Sequence, residues 1–417
     1  MSSAGWHAPT RPSGERPPAV SGRGDEADHV RPRSRRKSRS ARLIGAKVQP
    51  FLLRGVRVVA LVGVGSLSAC APRGGDGPGP LPPPPAQVAN DDNDYVQRRP
   101  FLVSESDYYV PDPFVGHLHR ARARRRLKWE EHPLGEIVIQ TNNLGLREDE
   151  DTSTDDRDGL VTILVTGDSQ TDGVVWNSES FPNRVERELK RRHPSRGFDV
   201  LNGGVGHFGP YNYPRFVERY AFLDPAMVIV VFYAGNDFLD CAQILETTGI
   251  TNERGPEYYR RLSALPKPLH RMASQHLNQA YYLSVFPHMQ AHVLDFAEAQ
   301  MARLANWCGD HGVELLVALL PEKITVERDD ASLQQASEAL QLSLDDLAVS
   351  RRLTQRLRAR LEARGIRVLD LEPAMAGQQG LYWDRDHHLS SEGHWVVAEI
   401  LLEVEGERFG RLTAAAR

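Results

Sequence analysis

The sequence predicts an α/β domain built on a single doubly wound, flavodoxin-like parallel sheet of about five strands. Three observations carry the prediction. Five short apolar runs, at 160–166, 199–202, 227–233, 313–320 and 366–371, have the length and composition of buried strands. Helical patterns alternate with them, including a long one ending near Asp310 and an Arg-rich amphipathic one from about Ser350 to Arg364. The runs at 160–166, 199–202 and 227–233 each end in a polar or glycine-rich turn, where open sheets of this kind place their ligands.

Taken in order, the chain changes character several times. Its 417 residues, 40% hydrophobic, suffice for a full core with a small accessory region. The net charge of −4 is uneven: residues 1–57 hold 13 Lys/Arg and 4 Asp/Glu, which leaves the remainder at −13. An acidic body argues against nucleic acid as a partner. Residues 1–47 read as a basic, disordered extension, with the Ser- and Arg-rich stretch 31–42 lacking any apolar face. Translation starting near Val48 is the expectation.

Residues 48–70 have the form of a secretory signal. Arg54 and Arg57 precede an uncharged run, 58–69, too short to span a bilayer easily, which ends in Leu67-Ser68-Ala69-Cys70. That ending resembles the bacterial lipobox, which implies acylation of Cys70, a membrane anchor and a cell-envelope location. Residues 71–92 form a Pro/Gly-rich linker with no capacity for a core. The lead-in segment, 93–158, is rich in Arg and aromatic residues and contains E-I-V-I-Q-T-N-N-L-G-L-R at 136–147. It reads as a short strand and turn packed on the edge of the core.

The main domain occupies 159–410, with a helical insertion at about 240–311. The insertion carries Tyr258, Tyr259, Tyr281 and Tyr282 with Pro266 and Pro268. It forms either a lid or substrate wall, or a helical excursion without substrate contact; both readings stand. Cys241 and Cys308 are the cysteines besides Cys70, too few to infer a disulfide.

Four segments carry the chemistry. V-T-G-D-S-Q-T-D-G at 165–173 leaves the first run through Gly167-Asp168-Ser169, and after a polar loop a helix begins at Ser180, a good N-cap, with Pro182 just inside. A Gly-Asp-Ser turn alone is common. It is followed by V-L-N-G-G-V-G-H-F-G at 200–209, M-V-I-V-V-F-Y-A-G-N-D at 227–237 and D-R-D-H-H-L-S-S-E-G-H at 384–394. Together the four blocks resemble those of the SGNH (GDSL-type) hydrolases, over roughly residues 160–405. The string Thr-Asn-x-Leu-Gly-Leu-Arg within 136–147 looks like the lead-in of envelope-type members.

The resemblance implies the SGNH-hydrolase fold and a serine esterase that needs no cofactor. It implies Ser169 as nucleophile, His388 as base and Asp386 as the carboxylate behind it. The oxyanion donors it implies are the Ser169 N–H, an N–H of the glycine turn and the Asn236 amide, with Asp168 supporting the loop. Two departures bear on these assignments. The family's oxyanion glycine falls at about His207, between Gly206 and Gly209, and Gly206 is taken as the donor. Asp384 and His387 fit the frequent Asp-x-x-His spacing, whereas Leu389-Ser390 and the following helix align His388, so Asp386/His388 is preferred.

No spaced metal-ligand set is present; adjacent His387 and His388 diverge, and with His394 they suit a catalytic loop better than a metal. The expected substrate is an O-acyl ester, with acetyl or short-chain acyl groups on envelope glycans as the candidates. The alternatives are an O-acyltransferase using the same site and a noncatalytic envelope glycan-binding protein.

Overall fold

The computed structural model describes residues 106–412, apart from Asp156, Thr251 and the side chains at 270–272. The expectations for residues 1–105, including lipidation at Cys70, lie outside the described residues.

Two antiparallel ribbons come first: β1 (Tyr109–Asp112) with β2 (Gly116–His119), and β3 (Arg124–Lys128) with β4 (Glu136–Gln140). The lead-in is thus more than a strand and turn. Its Ile137 and Ile139 pack with Tyr108, Val175 and Trp383 in a small apolar cluster of their own.

The alternation beyond residue 159 produces a five-stranded, all-parallel sheet. It comprises β5 (Leu160–Gly167), β6 (Gly197–Gly204), β7 (Met227–Tyr233), β8 (Glu314–Leu320) and β9 (Arg367–Asp370), in the order β6-β5-β7-β8-β9. The chain moves outward from β5 to β6, then crosses back to β7. The switch point therefore lies between β5 and β7, and their carboxyl ends open a crevice. β9 is half-buried rather than buried, because it is an edge strand whose Asp370 meets Arg358 at 3.0 Å.

Successive side chains of a strand face opposite ways, and this sorts the core into two layers. Leu164, Val228, Val230, Val317 and Leu319 face one side. There they meet α2 (Asn212–Arg219), α3 (Asp237–Thr247), α5 (Lys267–Val285), α6 (Met289–His311) and α7 (Val349–Ala363). Ile163, Val165, Ile229, Val231, Leu316 and Ala318 face the other side, against α1 (Phe181–Arg192) and α8 (Ser391–Val404). The insertion consists of α3, the short α4 (Pro256–Ser263), α5 and α6. Cys241 on α3 and Cys308 on α6 are both buried free thiols. Among the described residues no helix is long and apolar enough to cross a membrane.

Candidate active site

Ser169 sits where β5 ends. Instead of entering a polar loop, the chain makes one helical turn, Ser169–Asp172, capped by Asp168, whose carboxylate accepts the Gln170 N–H at 2.9 Å. Ser169 is the first residue of that turn, so its N–H has no intrahelical acceptor and is free in principle to serve an oxyanion. Burial pushes the Asp168 carboxyl up to about 6, against the lowering effect of the Gln170 N–H, the His388 charge and the Asn236 amide.

The loop between β9 and α8 brings His388 to the serine. His388 Nδ1 lies 2.5 Å from Asp386 Oδ1, and its Nε2 lies 2.9 Å from Ser169 Oγ. With Nδ1–H given to the carboxylate, Nε2 is left to accept the serine proton. Burial alone would raise the Asp386 carboxyl, yet the hydrogen bond and charge of His388 hold it at about 2. The geometry therefore pairs Asp386 with His388. His387 does not diverge from His388 as expected: the two rings stack obliquely, centroids 4.2 Å apart, while the Asp384 carbonyl accepts from the buried Lys323 at 3.2 Å. Asp386, His387 and His388 bring ligand atoms within 4.8 Å of one another. Both His388 nitrogens are already engaged, so they make no independent metal site.

Ser169, Gly206, Asn236 and His388 line one cavity of about 690 Å³. Asn236 begins α3 and turns its amide Nδ2 to Asp240 Oδ2 at 3.1 Å. Its loop is held by Gln279 of α5, which accepts the Leu239 N–H at 2.9 Å and donates to the Ala234 carbonyl at 2.6 Å. Gly206 and His207 both face the cavity, and His207 has φ +67°, a left-handed backbone that favours glycine. His117 donates from Nε2 to the Gly206 carbonyl at 2.8 Å, which turns the His207 N–H to the opposite side of that trans peptide. Gly209 is not in the cavity wall: a Cβ there would meet that of Asp240 at 2.7 Å.

The lead-in contributes directly. Arg147, fully buried, donates to Asp172 Oδ1 at 2.8 Å, to the carbonyls of Gly173 and Val175 at 2.9 and 3.0 Å, and to Asn177. It thereby fixes the chain just beyond the serine. Burial opposes ionisation of Asp172, but His119 at 3.3 Å and Arg147 hold its carboxyl at about 2. Tyr108, Tyr109 and Arg125 of the lead-in line the cavity together with Leu239, Gln243, Gln275 and Asn278 of the insertion. The insertion is thus a cavity wall, built by residues other than the four tyrosines singled out in the sequence, none of which lines the cavity.

Arg147 and Gln170 stand inside strings already singled out in the sequence, but nothing local gives either a role, and Gln279 and His119 lie outside those strings. Residues 285–411 match the family described as "SGNH hydrolase-like domain, acetyltransferase AlgX". A comparison with curated proteins gives no match. Among solved structures, a GDSL-like lipase from Bacteroides thetaiotaomicron is 12% identical, with 62% of this chain and 93% of that one covered and a TM-score of 0.35. An acetyl xylan esterase variant from Geobacillus stearothermophilus is 17% identical, covering 58% and 93%, with a TM-score of 0.34. Another acetyl xylan esterase is 14% identical, covering 58% and 99%, with a TM-score of 0.36.

Proposed function

We propose that this chain, whose residues 285–411 match an SGNH hydrolase-like family, is a serine enzyme that cleaves O-acyl esters, with acetyl or short-chain acyl groups on envelope glycans as substrates. The observation that supports this most is the unbroken chain from Ser169 Oγ through the His388 imidazole to the Asp386 carboxylate. A serine alcohol is a poor nucleophile until a base takes its proton. In this reading His388 Nε2 takes it as Oγ bonds to the ester carbonyl carbon, and Asp386 stabilises the imidazolium. The carbonyl oxygen becomes an oxyanion received by the Ser169 N–H, the Gly206 N–H and the Asn236 amide. Collapse expels the alcohol, which receives the proton from His388. Water then repeats the sequence and releases the acid.

A second reading keeps the same acyl-enzyme but delivers the acyl group to another alcohol, and the acetyltransferase description of the matching family favours it. The anchoring expected at Cys70, on the Leu67–Cys70 lipobox pattern, would hold either enzyme at a bacterial membrane. The test uses purified protein with a fluorophosphonate probe and an acetyl ester donor, with and without an alcohol acceptor. Probe label on Ser169 and release of free acetate are expected. Acetate appearing only as a new ester in the presence of acceptor would make it a transferase. No label on folded protein would make it a binder.

A further inference from the structure

Gln170, the residue after the nucleophile, is wholly buried and touches the other half of the site. Its Nε2 donates to the His387 carbonyl at 3.0 Å, and its Oε1 accepts the Leu389 N–H at 3.0 Å. Those two backbone groups flank His388. The remaining backbone groups there face other partners: the His388 N–H goes to Asp386 Oδ1 at 2.9 Å, and the His388 carbonyl accepts the Trp383 N–H at 3.0 Å. Tyr382 and Leu389 form an isolated antiparallel bridge on that side. The segment therefore behaves as a very short strand with a bridge along one edge. On its other edge the Gln170 amide supplies the donor and acceptor that a neighbouring strand would have supplied.

We propose that Gln170 is a positioning residue, which ties the backbone of the base to the turn of the nucleophile so that the Ser169–His388 separation is held by one side chain. This rests on the reading that Ser169 and His388 carry the acyl chemistry. The chemistry of the clamp is specific. A primary amide of this length offers N–H donors and an oxygen acceptor on the same plane. Glutamate has the length but sets an acceptor against the His387 carbonyl, methionine offers neither group, and asparagine is one methylene short. Loosening a catalytic pair by about 1 Å costs on the order of 10²-fold in rate.

The experiment uses the full chain with an ester substrate and the variants Gln170→Met and Gln170→Glu, each alone and combined with His388→Ala. In the His388-containing protein, kcat is expected to fall roughly 10–100-fold while KM changes less than about threefold. In the His388→Ala background neither variant should lower the residual rate further, because no base is left to position. A loss of the same size in both backgrounds would assign Gln170 to the fold or to the serine turn and overturn the clamp. Wild-type kcat in either folded variant would overturn it as well. Should Gln170→Met fail to fold, the near-isosteric Gln170→Glu carries the comparison. If Ser169→Ala keeps the wild-type rate, the functional reading falls and the clamp with it. If Ser169→Ala is inactive and the Gln170 variants are not impaired, only the clamp falls.

Discussion

At the scale of single residues, the site separates two acid–base pairs that differ by little in sequence. Asp386 faces His388 Nδ1, so Asp386→Asn should cost far more activity than Asp384→Asn, since an amide there can hold the wrong tautomer and no longer stabilises the imidazolium. His388→Ala should remove nearly all the activity that Ser169→Ala removes, with the double variant little worse, because groups that act as one unit do not add. Rates on variants shown folded by circular dichroism decide it, and His387→Ala with Asp384→Asn as the inactive pair would reverse the assignment. That Ser169, Asn236, Asp386 and His388 would come together was legible because each sits in a short string at the end of a strand or leading into a helix. Gln170 was not, because its partners lie 217 and 219 residues away and nothing local marks an amide as a clamp.

At the scale of elements, α1 shows both what a pattern reveals and what it hides. Pro182 and the apolar face of Phe181, Val185 and Leu189 marked the helix correctly. The Ser180 hydroxyl, however, makes no cap; it turns to Asn183, and the Phe181 N–H donates instead to Nδ1 of His394 at 3.2 Å, a residue of α8. The sequence had offered His394 only as a possible member of a histidine cluster. Burial, with the charges of Arg147, Arg184 and His388 adding to it, lowers His394 from 6.5 to about 3. The unfolded chain thus takes up a proton between those values that the folded chain refuses. Stability from the neutral ring is fully present above pH 6.5 and is lost as pH falls toward 3. Melting temperature should therefore drop more steeply between about pH 6.5 and 4.5 in the wild type than in His394→Gln, which keeps an acceptor but does not titrate. Parallel curves for the two proteins would refute the linkage.

At the scale of the whole molecule, the alternation of strands and helices was enough to read a doubly wound parallel sheet of about five strands. The order β6-β5-β7-β8-β9 came from the structure, because short right-handed crossovers leave more than one order open. The lead-in was under-read for a physical reason. Its ribbons are short, and strands such as Arg124–Lys128 are largely exposed, so they lack the apolar periodicity that announces a strand. The insertion was recognised by length, but which of its faces meets the cavity depends on how α3 and α5 pack, which composition does not encode.

The two buried thiols give that packed layer a property of another kind: it carries its own clocks. Alkylating reagents attack thiolates, and burial raises Cys241 well above the ordinary thiol value and Cys308 to about 12. Neither reacts until its helix opens. Cys241 lies on α3, which starts from Asn236, and Cys308 lies on α6 in the same apolar cluster. Under native conditions both should be modified by iodoacetamide at one shared rate, read by peptide mass, if the layer opens as a unit. A distinctly faster rate at Cys241 would mean that α3 breathes on its own, and with it the oxyanion side of the cavity. The chemistry of cysteine would then be timing a motion at a site that holds no cysteine at all.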